Sequence, residues 1–152
     1  MVVLLIGIFA FLVIPRLDIS GAGQLNLAAK RLSGTTKYLL NEAALTGREH
    51  RLIYNLEEGS YRGLRLEPGG ELVTLDGPGR LTRLGREVRL RGLTLPGRGS
   101  FTSGEVVTHI YPAGWLEEAV IHLENRQGEQ LTMRISPLTG AAETFDGYRD
   151  FR

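Results

Sequence analysis

Hydrophobic and polar positions divide the chain into one uninterrupted apolar run and a longer part in which the two kinds alternate. The run, residues 1–14 (MVVLLIGIFAFLVI), carries no charge and ends at Pro15 and Arg16. Fourteen helical residues rise ~21 Å, which is less than the ~30 Å of bilayer hydrocarbon. We therefore expect this segment either to insert into a membrane with help from residues outside this sequence or to pack against similar helices.

Two other interpretations of the run are a cleavable signal peptide and a buried helix of a soluble protein. A signal peptide would begin with positive charge and end in a small-residue site, but only Ser20-Gly21-Ala22 offers such a site, and it is a poor one. A buried amphipathic helix would leave one polar face, and the run has none. Membrane insertion or helix bundling is therefore favoured. The residues expected to mediate it are Val2, Leu4, Leu5, Ile8, Phe9, Phe11, Ile14 and Pro15.

A break followed by an amphipathic helix is predicted next. Pro15 disfavours the helical conformation at the preceding residue, Asp18 and Ser20 can cap a restart, and Gly21 and Gly23 would loosen the junction. Apolar residues then recur at spacings of three, four or seven, which predicts a helix over about 24–46 that ends at a glycine. Its apolar stripe comprises Leu25, Ala28, Leu32, Leu39 and Ala43, and the stop is Gly47.

Short strands are predicted over about 49–145. Apolar residues recur with a two-residue period over 50–56. A turn is predicted at 57–60, and 61–66 is predicted to pair back as the second strand of a hairpin. Further strands are predicted near 71–75, 88–95, 106–111, 119–124 and 130–136, with a bulge at Gly92, where the apolar phase shifts. The fold class is therefore α+β: an apolar segment (1–20), then a globular domain (21–152) whose helix packs on antiparallel sheets in a sandwich-like arrangement.

Composition excludes several kinds of chemistry. The 152 residues carry 18 basic and 17 acidic side chains, so the net charge of +1 indicates no particular partner. The absence of cysteine excludes disulfides, thiolate metal sites and a cysteine nucleophile. His50, His109 and His122 lie far apart without metal-ligand spacing, and no calcium loop, phosphate loop or nucleophile elbow is present. We expect no catalytic residue, no cofactor and no metal.

Charge is unevenly distributed along the sequence, because one stretch is rich in arginine. Six arginines between Pro78 and Arg98 face one acid, Glu87, which gives six minus one, or +5. Such a ridge could bind DNA phosphates or anionic headgroups, or it could be a solvated sheet edge that discourages aggregation. No aromatic residue lies in this stretch to stack on bases. The candidate ridge residues are Arg80, Arg83, Arg86, Arg89 and Arg91.

The opening segment resembles the N-terminal helix of type IV pilins and type II secretion pseudopilins just after their leader-peptidase motif. Gly7, Pro15 and Arg16 fall where that pattern expects them. The later stretches 51–54 (RLIY), 110–114 (IYPAG), 120–123 (VIHL) and 131–135 (LTMRI) are similar to the pseudopilin H and FimT-like minor pilin group. The leader and its following glutamate are absent, so we expect that Met1 is an internal start or that the sequence was trimmed.

The resemblance implies a non-enzymatic minor pseudopilin of a type II secretion system. Such a subunit would be anchored in the inner membrane by a single pass, with its globular domain in the periplasm, and would then join a helical filament or tip complex of other pseudopilins. An exported protein could be a further partner. One alternative is a FimT-like minor pilin that binds DNA during uptake, with the arginine ridge as the nucleic-acid contact. Another is an unrelated signal-anchored extracytoplasmic β domain.

Overall fold

One long helix precedes eleven strands in residues 21–151, the part of the chain that the computed structural model describes. The helix α1 spans Gly21–Thr46, and Gly47 ends it with a φ of 65°, so the predicted helix and its stop are confirmed. Gly21 and Gly23, which were expected to loosen the junction before the helix, both lie within α1, while residues 15–20 of that junction lie outside the described residues. Neither has positive φ, and the packing of the stripe that starts at Leu25 outweighs the low helix propensity of glycine.

The predicted stripe of α1 is buried. Leu32, Leu39 and Ala43 have no exposed surface, and Leu25 and Ala28 are nearly as deeply covered. These positions share one face of a 3.6-residue helix, so α1 can lie against a sheet along its whole length. It contacts strands of both sheets described below.

The strands form two sheets in which every pairing is antiparallel. The first sheet has the order β3-β2-β1-β7-β8, with β4 also paired to β2, and the second has the order β11-β10-β9-β5-β6. The strands are β1 His50–Asn55, β2 Ser60–Leu66, β3 Leu72–Thr74, β4 Thr82–Arg83, β5 Val88–Leu95, β6 Gly99–Phe101, β7 Glu105–Tyr111, β8 Trp115–Leu116, β9 Ala119–Asn125, β10 Gln130–Ile135 and β11 Ala142–Asp146. This α+β arrangement confirms the predicted fold class.

The hairpin of β1 and β2 forms as the sequence predicts. Tyr54 lies opposite Tyr61, and both rings point into the core. The turn is held by the Asn55 side chain, whose Oδ1 accepts hydrogen bonds from the backbone N–H groups of Glu57 (3.1 Å) and Glu58 (2.9 Å). Asparagine commonly closes a turn in this way.

The predicted bulge in β5 also forms. The register with β9 shifts between Leu90 and Gly92, so that Leu90 and Leu93 both face the core. A Cβ atom at Gly92 would lie 3.2 Å from the carbonyl oxygen of Phe101, which explains why the smallest residue occupies this position.

Four strands were not predicted, namely β4, β6, β8 and β11. The first three have two or three residues, too few to show a period. In β11 no residue is fully buried, so no apolar alternation marks it. The predicted strand at 71–75 is present as β3, but its three residues are all exposed because it is an edge strand.

One hydrophobic core lies between α1 and the two sheets. It draws buried side chains from α1 and from the central strands of each sheet. Strand β9 is buried along its whole length on both faces, which is unusual for a strand of a two-sheet domain. Something therefore covers the outer face of the second sheet as well, and the C-terminal tail supplies that cover, as described below.

Candidate functional site

The predicted assembly residues lie outside the part of the chain that the structure describes. They are Val2, Leu4, Leu5, Ile8, Phe9, Phe11, Ile14 and Pro15. Within residues 21–151, no helix is both long and apolar enough to cross a bilayer. The membrane and filament roles of the first segment therefore stay predictions.

The three histidines occupy three separate environments. His50 is fully buried on the core side of β1, where its Nδ1 lies 3.0 Å from the carbonyl oxygen of Arg48. His109 lies on the outer face of the first sheet, with its Nδ1 2.8 Å from Glu49 Oε1. His122 lies on the outer face of the second sheet, under Tyr148. Among the described residues, no three metal-ligating side chains of the His, Cys, Asp or Glu type come together.

Two members of the predicted arginine ridge share one acid on a neighbouring strand as their ion-pair partner. Arg89 lies directly opposite Glu124 across the β5–β9 pair, and its Nη2 donates to Glu124 Oε1 at 2.6 Å. Arg91 donates to the other carboxylate oxygen. The side chain of Glu124 is largely buried, and hydrogen bonds from Arg91 and Arg89 hold its pKa below the ordinary value.

A third arginine of the same stretch is also paired. Arg98 donates to Glu117 Oε2 at 3.0 Å and to the carbonyl oxygen of Val107 at 2.8 Å. Glu117 also accepts the backbone N–H of His109 at 2.8 Å. The +5 counted along the sequence therefore omits two carboxylates that the sheets bring beside these arginines.

The other three arginines of the stretch have no such partner. Within residues 21–151, no carboxylate lies within 4.0 Å of the guanidinium groups of Arg80, Arg83 or Arg86. Glu87, the acid beside them in sequence, is 3.7 Å from Arg126. Arg31 of α1, also without a carboxylate partner in this range, lies on the same surface.

The segment that carries these arginines is fixed to the helix and to the first sheet. It begins at a 3₁₀ turn, Gly77–Gly79, where the carbonyl oxygen of Pro78 accepts the Thr35 hydroxyl of α1 at 3.0 Å. Further on, Leu84 N–H donates to the carbonyl oxygen of Gly59 at 2.9 Å. Between these two ties, β4 pairs with the start of β2. The arginines are thus presented from an ordered backbone.

Two adjoining depressions separate α1 from this segment, and we call them together the arginine groove. The first, of about 200 Å³, has an apolar floor that includes Leu27, Ala28 and Leu84, and its charged lining residues are Arg31, Arg83, Arg86 and one acid, Glu87. The second, of about 820 Å³, is more polar and is lined by Arg31 and Arg80. Arg31, Tyr61 and Thr82 line both depressions, so Arg31 stands between them. The arrangement can hold an anion next to an apolar group.

The sequence analysis missed the part played by Arg31. Arg31 was not among the candidate ridge residues, because 49 positions separate it from Arg80. No local pattern relates the two, because their proximity depends on where the helix lies on the sheet.

A second surface that the sequence did not reveal is formed by the C-terminal tail. Tyr148 stacks on His122 with ring centroids 4.4 Å apart, and Phe151 packs at 5.2 Å from Phe145. The Thr132 hydroxyl donates to the carbonyl oxygen of Gly147 at 2.8 Å and accepts the backbone N–H of Arg149 at 2.9 Å. The tail therefore covers the outer face of the second sheet.

Comparison with known proteins places this architecture in a class. The sequence matches no family model and no curated protein. The fold, however, is that of the minor pseudopilins of type II secretion systems. The resemblance noted in the sequence is thus confirmed at the level of the fold.

The solved structures that this fold resembles include the minor pseudopilin EpsH of the Vibrio cholerae type II secretion system and GspH of E. coli. One EpsH structure has a TM-score of 0.66 at 15% identity and covers 84% of this chain and 98% of its own. A second has a TM-score of 0.63 at 13% identity, covering 81% and 97%. The solution structure of GspH has a TM-score of 0.61 at 16% identity, covering 88% and 94%. At these identities the likeness establishes the fold.

Proposed function

We propose that this chain is a minor pseudopilin, a structural and non-enzymatic subunit of the pseudopilus of a type II secretion system. The observation that carries the proposal is the match of its fold to EpsH over 84% of this chain and 98% of that one. The globular domain, residues 21–152, would lie in the periplasm, and residues 1–20 would anchor it in the inner membrane before assembly.

The physical basis of assembly would be the exchange of one apolar environment for another. An all-apolar helix is satisfied equally by lipid chains and by neighbouring apolar helices, so it can move from membrane to filament without exposure to water. In this proposal the side chains from Val2 to Ile14 mediate assembly. Among residues 21–151, the buried members of the core extend from Leu25 to Ile135.

The surface of the domain would then contact other pseudopilins or an exported protein. Its outer faces differ in chemistry. The first sheet carries a row of stacked rings, with Tyr111 4.2 Å from Trp115, while the second sheet is covered by the C-terminal tail. These are separate surfaces to which different partners could bind.

The test is a charged substitution in the apolar run. Ile8→Lys should abolish recovery of the chain in purified pseudopili, because a lysine ammonium in an apolar helix bundle is strongly unfavourable. The matched control is Leu138→Lys, at a position of the domain that is 74% exposed, and it should be recovered like the parent. Both variants should keep the circular dichroism of the parent in detergent. Normal incorporation of Ile8→Lys would contradict the proposal.

A further inference from the structure

The arginine groove lies at the end of the domain that receives the apolar segment. Its helical lining begins at Gln24, in the first turn of α1, and extends to Arg31 in the first depression and to Tyr38 in the second. Gln24 lies ten positions after Ile14, the last residue of the apolar run, and ten chain steps span at most ~36 Å. If residues 1–14 are in a bilayer, as the proposed function requires, the groove is therefore within reach of the headgroup region.

The chemistry of the groove selects an amphipathic anion. Four guanidinium groups, those of Arg31, Arg80, Arg83 and Arg86, have no carboxylate partner among residues 21–151. Arginine binds phosphate with paired, planar donors. Leu27 is half exposed beside them, and a fully polar ligand would leave it and the rest of the apolar floor in contact with water.

We propose that the arginine groove binds the headgroup and glycerol region of an anionic phospholipid of the membrane that holds the apolar segment. Arg31, Arg83 and Arg86 would contact the phosphate, and Leu27 and Leu84 would contact the ester and upper acyl carbons. This inference rests on the proposed function, because only an anchored chain keeps the groove at the bilayer surface. Binding would hold the domain against the membrane until the subunit is extracted.

A duplex nucleic acid fits the groove less well. Its backbone is polar throughout, so it offers nothing to the apolar floor, which includes Leu27 and Leu84. The arginines that would extend a DNA track along β5 are Arg89 and Arg91, and both are bound to Glu124. The site is therefore short and amphipathic rather than long and polar.

The experiment is a titration of the full chain, solubilised in a nonionic detergent, with short-chain dihexanoyl phosphatidylglycerol. Because the chain has no cysteine, Leu81→Cys gives one labelling position for an environment-sensitive fluorophore beside the groove. Parallel titrations use dihexanoyl phosphatidylcholine, inorganic phosphate and a DNA duplex. Saturable binding of the phosphatidylglycerol, with weaker responses to the other three, is expected.

Variants identify the groups responsible. One arginine near an anionic lipid surface contributes about fivefold to association, so Arg83→Ala/Arg86→Ala should weaken phosphatidylglycerol binding about 25-fold. Arg83→Lys/Arg86→Lys keeps the charge and should remain within a few-fold of the parent. The matched control is Arg51→Ala/Arg62→Ala, which removes the same charge from ion pairs with Glu49 and Glu105, and it should bind like the parent.

Three outcomes would overturn the inference. The first is an equal response to the two lipids, and the second is an equal response to inorganic phosphate and phosphatidylglycerol. The third is tighter binding of the DNA duplex than of either lipid. Retained lipid binding by Arg83→Ala/Arg86→Ala would also overturn it. The proposed function is tested separately by Ile8→Lys, whose outcome depends on the apolar segment alone. A failure of the lipid-binding inference, with Arg83→Ala/Arg86→Ala still recovered in filaments, would therefore leave the proposed function intact.

Discussion

Gly63 of β2 lies directly against Leu39 of α1, and a Cβ atom at Gly63 would be 2.7 Å from Leu39 Cδ2. Leu39 has no exposed surface, and the carbonyl oxygen of Gly79 lies 3.3 Å from the same point. The helix therefore contacts the backbone of the sheet at this position. This close approach fixes the distance between α1 and the first sheet, and with it the position of Arg31 relative to the arginine segment.

We expect Gly63→Ala to lower the free energy of unfolding by about 1–3 kcal/mol, the usual cost of overpacking a core. The control is Gly34→Ala in α1, where an added Cβ meets nothing within 4 Å. It should raise the free energy of unfolding by about 0.5–1 kcal/mol, since alanine is the better helix former. Urea unfolding of the detergent-solubilised chain, followed by circular dichroism, measures both. A Gly63→Ala variant as stable as the parent would refute the close packing.

Stability should fall as the pH decreases from 7 to 5. Burial lowers the pKa of His50 and of His122 from the ordinary 6.5, so the unfolded chain binds protons that the folded chain excludes. The stabilisation is complete above pH 6.5 and is lost as the pH falls toward the folded pKa values. Two such groups set an upper limit of about 2.7 kcal/mol per pH unit on the slope.

His50→Leu tests whether the burial of His50 causes part of this pH dependence. The His50 Nε2 atom is buried without a hydrogen-bond partner among residues 21–151, while Nδ1 faces the Arg48 carbonyl oxygen, so the neutral ring donates from Nδ1. The variant should lose about half of the pH slope between 7 and 5. Urea titrations at several pH values give the slope, and an unchanged slope would mean that His50 is not the group that resists protonation.

Much of the fold could be predicted because its signals are local. Each signal comes from residues that are close together in the sequence. This holds for the stripe of α1, for the hairpin turn after Asn55 and for the phase shift at Gly92. The strands β4, β6 and β8, of two or three residues each, escaped prediction because their order comes from a neighbouring strand. Trp115–Leu116, for example, is a strand only because it pairs with the end of β7.

The candidate site could be predicted only in part, because charge pairing across strands is not local. The arginine stretch was recognised from the sequence, but Glu124 lies 33 and 35 positions from Arg91 and Arg89. Its pairing with them depends on the register of β5 with β9, and that register includes a bulge. Which arginines lack a carboxylate partner within residues 21–151 depends on where the acids lie in three dimensions, not on the local sequence.

Glu124→Gln should therefore destabilise the protein by about 1–2 kcal/mol at pH 7. Hydrogen bonds to a charged group are worth about 1.5–3 kcal/mol, and the half-exposed arginines reduce that value through solvent screening. The pKa of Glu124 is lowered in the fold, so its contribution is present above the ordinary 4.5 and is lost as the pH falls through the folded pKa. The parent and the variant should thus converge in stability in acid. A constant difference at all pH values would contradict the charged pairing.

The C-terminal tail should control the protonation of His122. Tyr148 covers the His122 ring, whose Nδ1 lies 3.2 Å from the Thr132 hydroxyl that also binds the tail backbone. Tyr148→Ala removes the cover, admits water and should raise the pKa of His122 toward its ordinary value, because the lowering comes first from burial. Nuclear magnetic resonance of the histidine ring protons as a function of pH measures the change.

Tyr111→Ala deletes an equivalent ring on the first sheet and should leave His122 unaffected, since Tyr111 stacks on His109 and Trp115 instead. An equal shift in both variants, or none in Tyr148→Ala, would show that the tail does not bury His122 in solution.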